Sequence, residues 1–176
     1  FTDDCGRTST QTQTITVQPA PQAQFAAVSP VTLTCDEATS FTASNLSYTN
    51  NAIGSCLISG QVLGVITGTY DECGGTLTQS WTFTDDCGRT STQTQTITVQ
   101  PAPQAQFAAV NPITLTCDEA TSFTASNLSY TNNALGGCLI SGQVLGTITG
   151  TYDECGGTLT QTWTFTDDCG RTSTQT

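Results

Sequence analysis

The string FTDDCGRTSTQT begins at Phe1, again at Phe83 and again at Phe165, so the chain repeats itself every 82 residues. Phe1 to Thr82 and Phe83 to Thr164 differ at six positions only: Ser29/Asn111, Val31/Ile113, Ile53/Leu135, Ser55/Gly137, Val65/Thr147 and Ser80/Thr162. A period this long reads as tandem domains. Eighty-two residues bury a core of their own, whereas solenoid units of roughly 20 to 50 residues depend on their neighbours. The register predicts a segment of a longer array. Residues 1–20 are the C-terminal hairpin of a preceding repeat, 21–102 a complete repeat, and 103–176 a second repeat lacking the end of its last strand.

Fourteen acidic residues face three basic ones, a net charge of −11, and the basic residues are one position repeated: Arg7, Arg89 and Arg171. Phosphate contacts need a positive footprint, so nucleic acid is not an expected partner and anionic lipid would be repelled. No run approaches the ~20 apolar residues of a membrane span, so no membrane insertion by this segment is expected. A hydrophobic content of 36% nevertheless sets the chain apart from disordered sequences.

Period-two alternation recurs in every copy. In Leu77 to Thr84, Leu77, Gln79, Trp81 and Phe83 share one face; in Thr92 to Val99, Gln93, Gln95, Ile97 and Val99 share one, the apolar half last. Between them lies DDCGR, an Asp/Gly turn that makes the pair a β-hairpin. Val31 to Thr34 and Phe41 to Ser44 read as two short strands separated by a turn, CDEATS. Cys56 to Tyr70 carries Gly60, Gly64 and Gly68, which favours short strands with bends over a helix. About seven short strands per period predict an all-β fold: tandem immunoglobulin-like β-sandwich repeats forming an end-to-end array. Pro101 and Pro103 in Gln100 to Phe107, like Pro19 and Pro21 earlier, mark a short, stiff junction.

Nine cysteines become an even set once the period is removed: Cys35, Cys56, Cys73 and Cys87, then Cys117, Cys138, Cys155 and Cys169, with Cys5 the fourth cysteine of the preceding copy. This favours disulfides in an oxidising compartment, while the absence of His and of any CxxC disfavours zinc. Four cysteines allow three pairings. In an immunoglobulin-like sandwich the turn after the first strand and the turn before the penultimate strand share one pole, which predicts Cys35 with Cys73 and Cys56 with Cys87. The second copy would follow as Cys117 with Cys155 and Cys138 with Cys169.

With no His or Lys and no nucleophile motif, no enzyme is expected and no catalytic residue, metal ligand or cofactor is assigned. The pairs Asp36/Glu37, Asp71/Glu72 and Asp85/Asp86 read as acidic turns rather than as carboxylates for glycosidase work or calcium. Arg89 beside Asp85 reads as an exposed hairpin salt bridge that contributes little. Trp81 and Trp163 alternate with Phe83 and Phe165 and belong to the core. Tyr48 and Tyr70, near turns, are the better candidates for stacking on a sugar. The exposed Thr rows read as a solvated strand face.

The string WTFTDDCGRTSTQTQTITV, Trp81 to Val99, resembles the closing hairpin of hyalin-repeat-type immunoglobulin-like domains. The four-cysteine layout VTLTC, GSC, YDEC and DDCG is similar to the repeats of giant Bacteroidota cell-surface adhesins of the SprB type, which serve gliding motility. The resemblance implies an extracellular, cell-surface location and a role in adhesion or motility; it carries over no ligand residue. The expected function is therefore a structural stalk or spacer of an extracellular adhesin, whose partners are the neighbouring repeats of the same chain. One alternative is a repeated module that binds surface glycans or abiotic surfaces by avidity. Another is a subunit of a self-assembled extracellular filament whose broken ends are completed by neighbouring strands.

Overall fold

The computed structural model describes all 176 residues. The first period carries β1 (Gln24–Phe25), β2 (Val31–Leu33), α1 (Cys35–Thr39), β3 (Asn45–Thr49), β4 (Ser59–Leu63), β5 (Val65–Asp71), β6 (Gly74–Thr84) and β7 (Thr90–Val99). The second carries β8 (Gln106–Phe107), α2 (Cys117–Ser122), β9 (Asn127–Thr131), β10 (Ser141–Leu145), β11 (Thr147–Asp153), β12 (Gly156–Thr166) and β13 (Thr172–Gln175). The protein is mostly β, in several small sheets. In the first period one sheet runs β1-β3-β4 and the other β2-β7-β6-β5, with β2 and β7 parallel and every other pair antiparallel.

The two sheets meet where alternation placed the apolar faces. Leu77, Gln79 and Trp81 of β6 are buried, as are Ile97 and Val99 of β7. Tyr48 of β3 stacks on Phe83 of β6 with ring centroids 3.9 Å apart. The polar member of this row is satisfied by one carbonyl: Ser44 O accepts from Trp81 Nε1 at 2.8 Å, Gln79 Nε2 at 3.2 Å and Gly64 N at 3.0 Å. A buried indole N–H or amide without such a partner would cost about 1–3 kcal/mol.

Gly64 alone separates β4 from β5 and carries the chain from one sheet to the other. A Cβ there would lie 2.7 Å from Gln79 Cγ and 2.8 Å from Trp81 Nε1, so only glycine lets the crossing backbone lie against the β6 row. The bend expected within Cys56 to Tyr70 is thus a change of sheet.

Two local expectations are corrected. CDEATS is not a turn but a short helix, started by a capping box in which Thr34 Oγ1 accepts from Glu37 N at 3.2 Å while Glu37 Oε2 accepts from Thr34 N at 2.8 Å. Phe41 to Ser44 is not a strand: its alternating residues find no ladder partner, because the strand that pairs with β1 and β4 begins at Asn45.

Candidate functional site: the junction between the two periods

The junction begins where β7 ends. Gln100 N donates to Leu33 O at 2.8 Å and Ala102 N to Glu72 O at 2.9 Å, which ties the proline-rich segment to the first period. The second period grips the same segment from the other side. Arg171 Nη1 donates to Ala102 O at 2.6 Å, Asn132 Nδ2 to Pro103 O at 3.1 Å, Gln104 Nε2 to Thr172 O at 2.8 Å, and Ser173 Oγ to Ala105 O. Ala102 and Ala105 are buried as a result. Because Pro101 and Pro103 offer no N–H, the segment presents few donors and its carbonyls receive the side chains.

Both disulfides cross this junction. Cys35, the first residue of α1, bonds Cys138 at the end of the 3-10 turn Gly136–Cys138, and Cys73, in the turn between β5 and β6, bonds Cys169 in the DDCGR turn between β12 and β13. The sulfur atoms of Cys35 and Cys138 sit in residues that are 1% and 0% exposed, with Ala38 and Ala134 buried beside them. This makes the second period the cover of the first period's core. Asp36 Oδ1 accepts from Leu135 N across the same contact at 3.0 Å.

The expected pairs Cys35–Cys73 and Cys138–Cys169 are therefore corrected, and Cys56, Cys87, Cys117 and Cys155 are free thiols, as is Cys5. Cys35 Sγ lies 3.4 Å from Asp71 O, two residues from Cys73. Each cysteine at that pole reaches outward to the facing pole of the next period instead of sideways to its neighbour. Cys56 and Cys87 are the counterparts of Cys138 and Cys169, and Cys117 and Cys155 those of Cys35 and Cys73.

The hairpin turn that carries Cys169 is held by an ion pair. Asp167 Oδ2 accepts from Arg171 Nε at 2.7 Å and Asp167 Oδ1 from Arg171 N at 2.8 Å, with the Asp167 side chain only 2% exposed. Burial pushes the Asp167 carboxyl up, and the Arg171 backbone and side-chain hydrogen bonds, its charge and the Cys169 N–H together hold it below the usual carboxylate range. Asp85 and Arg89 repeat the arrangement in the first period: the Arg89 N–H is the strongest influence and holds the Asp85 carboxyl low against burial. The expectation of an exposed, weak salt bridge at Arg89 is corrected. The carboxylate is buried, and Arg89 Nη1 also anchors Ala20 O at 2.6 Å, as Arg171 does Ala102.

Four further carboxylates are spent on local structure. Glu37 and Glu119 cap helices, and Asp71 and Asp153 accept from Cys73 N and Cys155 N within their turns at 2.8 Å each. Tyr48, considered for sugar stacking, has one ring face on Phe83 and meets Phe25 edge-on, while Tyr70 packs against the core. Trp81 and Trp163 are buried as expected. Asn132, Gln104 and Ser173 were not singled out from sequence. Gln104 lies within the proline-rich run, whereas Asn132 and Ser173 reach that run only through the fold, which linear spacing does not show.

No helix is long and apolar enough to cross a membrane. No family model, no curated protein and no solved structure matches the chain.

Proposed function

We propose that the chain is a structural spacer of an extracellular cell-surface adhesin, made of immunoglobulin-like β-sandwich modules set end to end. Residues 21–102 form one module, 103–176 most of a second, and 1–20 the closing hairpin of a preceding one. The observation that carries this reading is that both disulfides run from one period to the next. Disulfides within a module would harden each bead and leave the string loose. Disulfides across the junction give it three covalent paths, the backbone and two bridges, and remove its hinge. Reach and stiffness are what a stalk supplies, and an oxidising exterior is where such bonds persist. The stacking of Phe83 on one ring face of Tyr48, with Phe25 meeting the ring edge-on, also favours a spacer over a glycan-binding module.

The eleven-residue β6 spans about 37 Å at ~3.4 Å per residue, which sets the scale of one module. Electron microscopy of arrays of two, three and four modules should show straight rods that lengthen by a constant step of about this size. Rods should bend at the junctions when Cys35 and Cys73 positions are changed to Ser. Oxidised arrays that already bend freely, or that bind glycans with an affinity rising with copy number, would refute the spacer reading.

A further inference from the structure

The two disulfides that cross the junction stand in opposite surroundings. Cys35–Cys138 is closed off, with both residues buried in one core cluster beside Ala38 and Ala134. Cys73–Cys169 faces solvent: Cys73, in the turn between β5 and β6, is exposed, and Cys169 is half-buried. Thiol–disulfide exchange begins only when a thiolate reaches a disulfide sulfur, so access alone separates the two bonds.

The outer bond is also polarised. Arg171 Nη2 lies 3.8 Å from Cys169 Sγ, and the same guanidinium is fixed by Asp167 through Nε and by Ala102 O through Nη1. Asp168, the other charge at that turn, is exposed. Cys73 has carboxylates as its chain neighbours instead, Asp71 and Glu72, with Asp71 Oδ1 accepting from Cys73 N at 2.8 Å. A thiolate leaving from Cys169 is balanced by a cation beside it, whereas one leaving from Cys73 is not. Exposure and charge therefore agree: the accessible sulfur is that of Cys73, and the better leaving group is Cys169.

We propose that Cys73–Cys169 is a redox-sensitive latch on the junction, opened by small-molecule thiols while Cys35–Cys138 stays closed as a pivot. A thiolate R–S⁻ attacks Cys73 Sγ, the S–S bond breaks, its electron pair leaves on Cys169 beside Arg171, and Cys73 is left in a mixed disulfide with R. A second R–S⁻ attacks the R sulfur of that mixed disulfide, expels the Cys73 thiolate and departs as R–S–S–R. Two thiols are thus oxidised to one disulfide, and Cys73 and Cys169 take up the two electrons and two protons.

Opening the latch removes one of the three covalent paths across the junction. The hydrogen bonds left on that side all run through the linker: Ala102 N to Glu72 O from the first period, and Arg171, Thr172 and Ser173 on residues 102–105 from the second. Two periods joined by a linker and one buried bridge can swing about that bridge; joined by two bridges they cannot. The order of opening rests on the geometry of the junction alone, and its effect on stiffness rests also on the spacer reading.

The test uses the full chain, its free thiols first blocked with iodoacetamide. 2-Mercaptoethanol is added, samples are quenched with acid over time, and the peptides are mapped by mass spectrometry. Cys73–Cys169 should open roughly tenfold faster than Cys35–Cys138 or more, with the mercaptoethanol adduct on Cys73. Arg171→Gln should spread the adduct over Cys73 and Cys169. Arg171→Lys, which keeps the charge without the two-point grip on Asp167, should hold it on Cys73, whereas a merely structural role would give the same change in both variants. Equal rates, prior opening of Cys35–Cys138, or an adduct chiefly on Cys169 of the unaltered chain would overturn the proposal. Small-angle X-ray scattering then reads stiffness. A chain that is rigid when oxidised should become flexible once the outer bond alone is open, and rigidity in both states would overturn the latch. Flexibility already present in the oxidised chain would instead refute the spacer reading and leave the order of opening to the mapping.

Discussion

Pulling on the two ends of a single chain measures the disulfide topology as a length. With Cys35 bonded to Cys138, the 103 residues between them are excluded from the shortest covalent path, and the Cys73–Cys169 bond, which spans 96, shortens it no further. At ~3.4 Å per extended residue the fully stretched oxidised chain should be about 350 Å shorter than the reduced one. Bonds inside each period would exclude only the 38 residues from Cys35 to Cys73 and the 38 from Cys117 to Cys155, a difference of about 260 Å. The assay is single-molecule force spectroscopy with handles at the termini, after the five free thiols have been alkylated. The variants add a sharper arm. Cys73→Ser should leave the oxidised length unchanged, whereas Cys35→Ser should lengthen it by seven residues, about 24 Å, because the path then runs through Cys73–Cys169. A deficit near 260 Å, or a large change on Cys73→Ser, would refute the cross-junction topology.

Reduction should also lower the melting temperature by ~10 °C or more. A bridge closing about 100 residues stabilises by roughly 4.7 kcal/mol in the chain-entropy model, and calorimetry with and without reductant reads the shift. Gly64→Ala should destabilise by about 1–3 kcal/mol in urea titration, since its methyl would meet Gln79 and Trp81; Gly88→Ala, strained only by its φ of 78° and with nothing within 4 Å, should cost about 1 kcal/mol. The folded Asp85 and Asp167 carboxyls lie below their unfolded value of about 3.9, so their contribution is complete above that pH and is lost as pH falls through the depressed folded value. Denaturation midpoints should therefore hold from pH 7 to about 5 and drop below about 4. Asp85→Asn with Asp167→Asn should be weaker at neutrality and show a shallower acid decline; stability that falls on going from pH 4 to 7 would contradict the assignment.

Much of this architecture was legible in the chain because it depends on neighbours a few residues away. The alternation of Leu77, Gln79, Trp81 and of Ile97, Val99 is a local property of strands, and the structure buries those residues. The DDCGR turn closes the hairpin because Asp85 can bond the N–H groups of Cys87 and Arg89 while Gly88 takes a positive φ. Even the helix α1 had its signal in Thr34-Cys35-Asp36-Glu37, a capping box outweighed by the apparent strands on either side. The pairing of the cysteines had none. In a near-perfect repeat, a partner in the same period and its counterpart 82 residues on have the same identity and the same neighbours, so spacing cannot tell them apart. Disulfide formation is decided by where two Cβ atoms come within bonding reach, at Cα separations of 5.9 Å and 5.4 Å here, and only the docking of one period on the next brings Cys138 to Cys35 and Cys169 to Cys73.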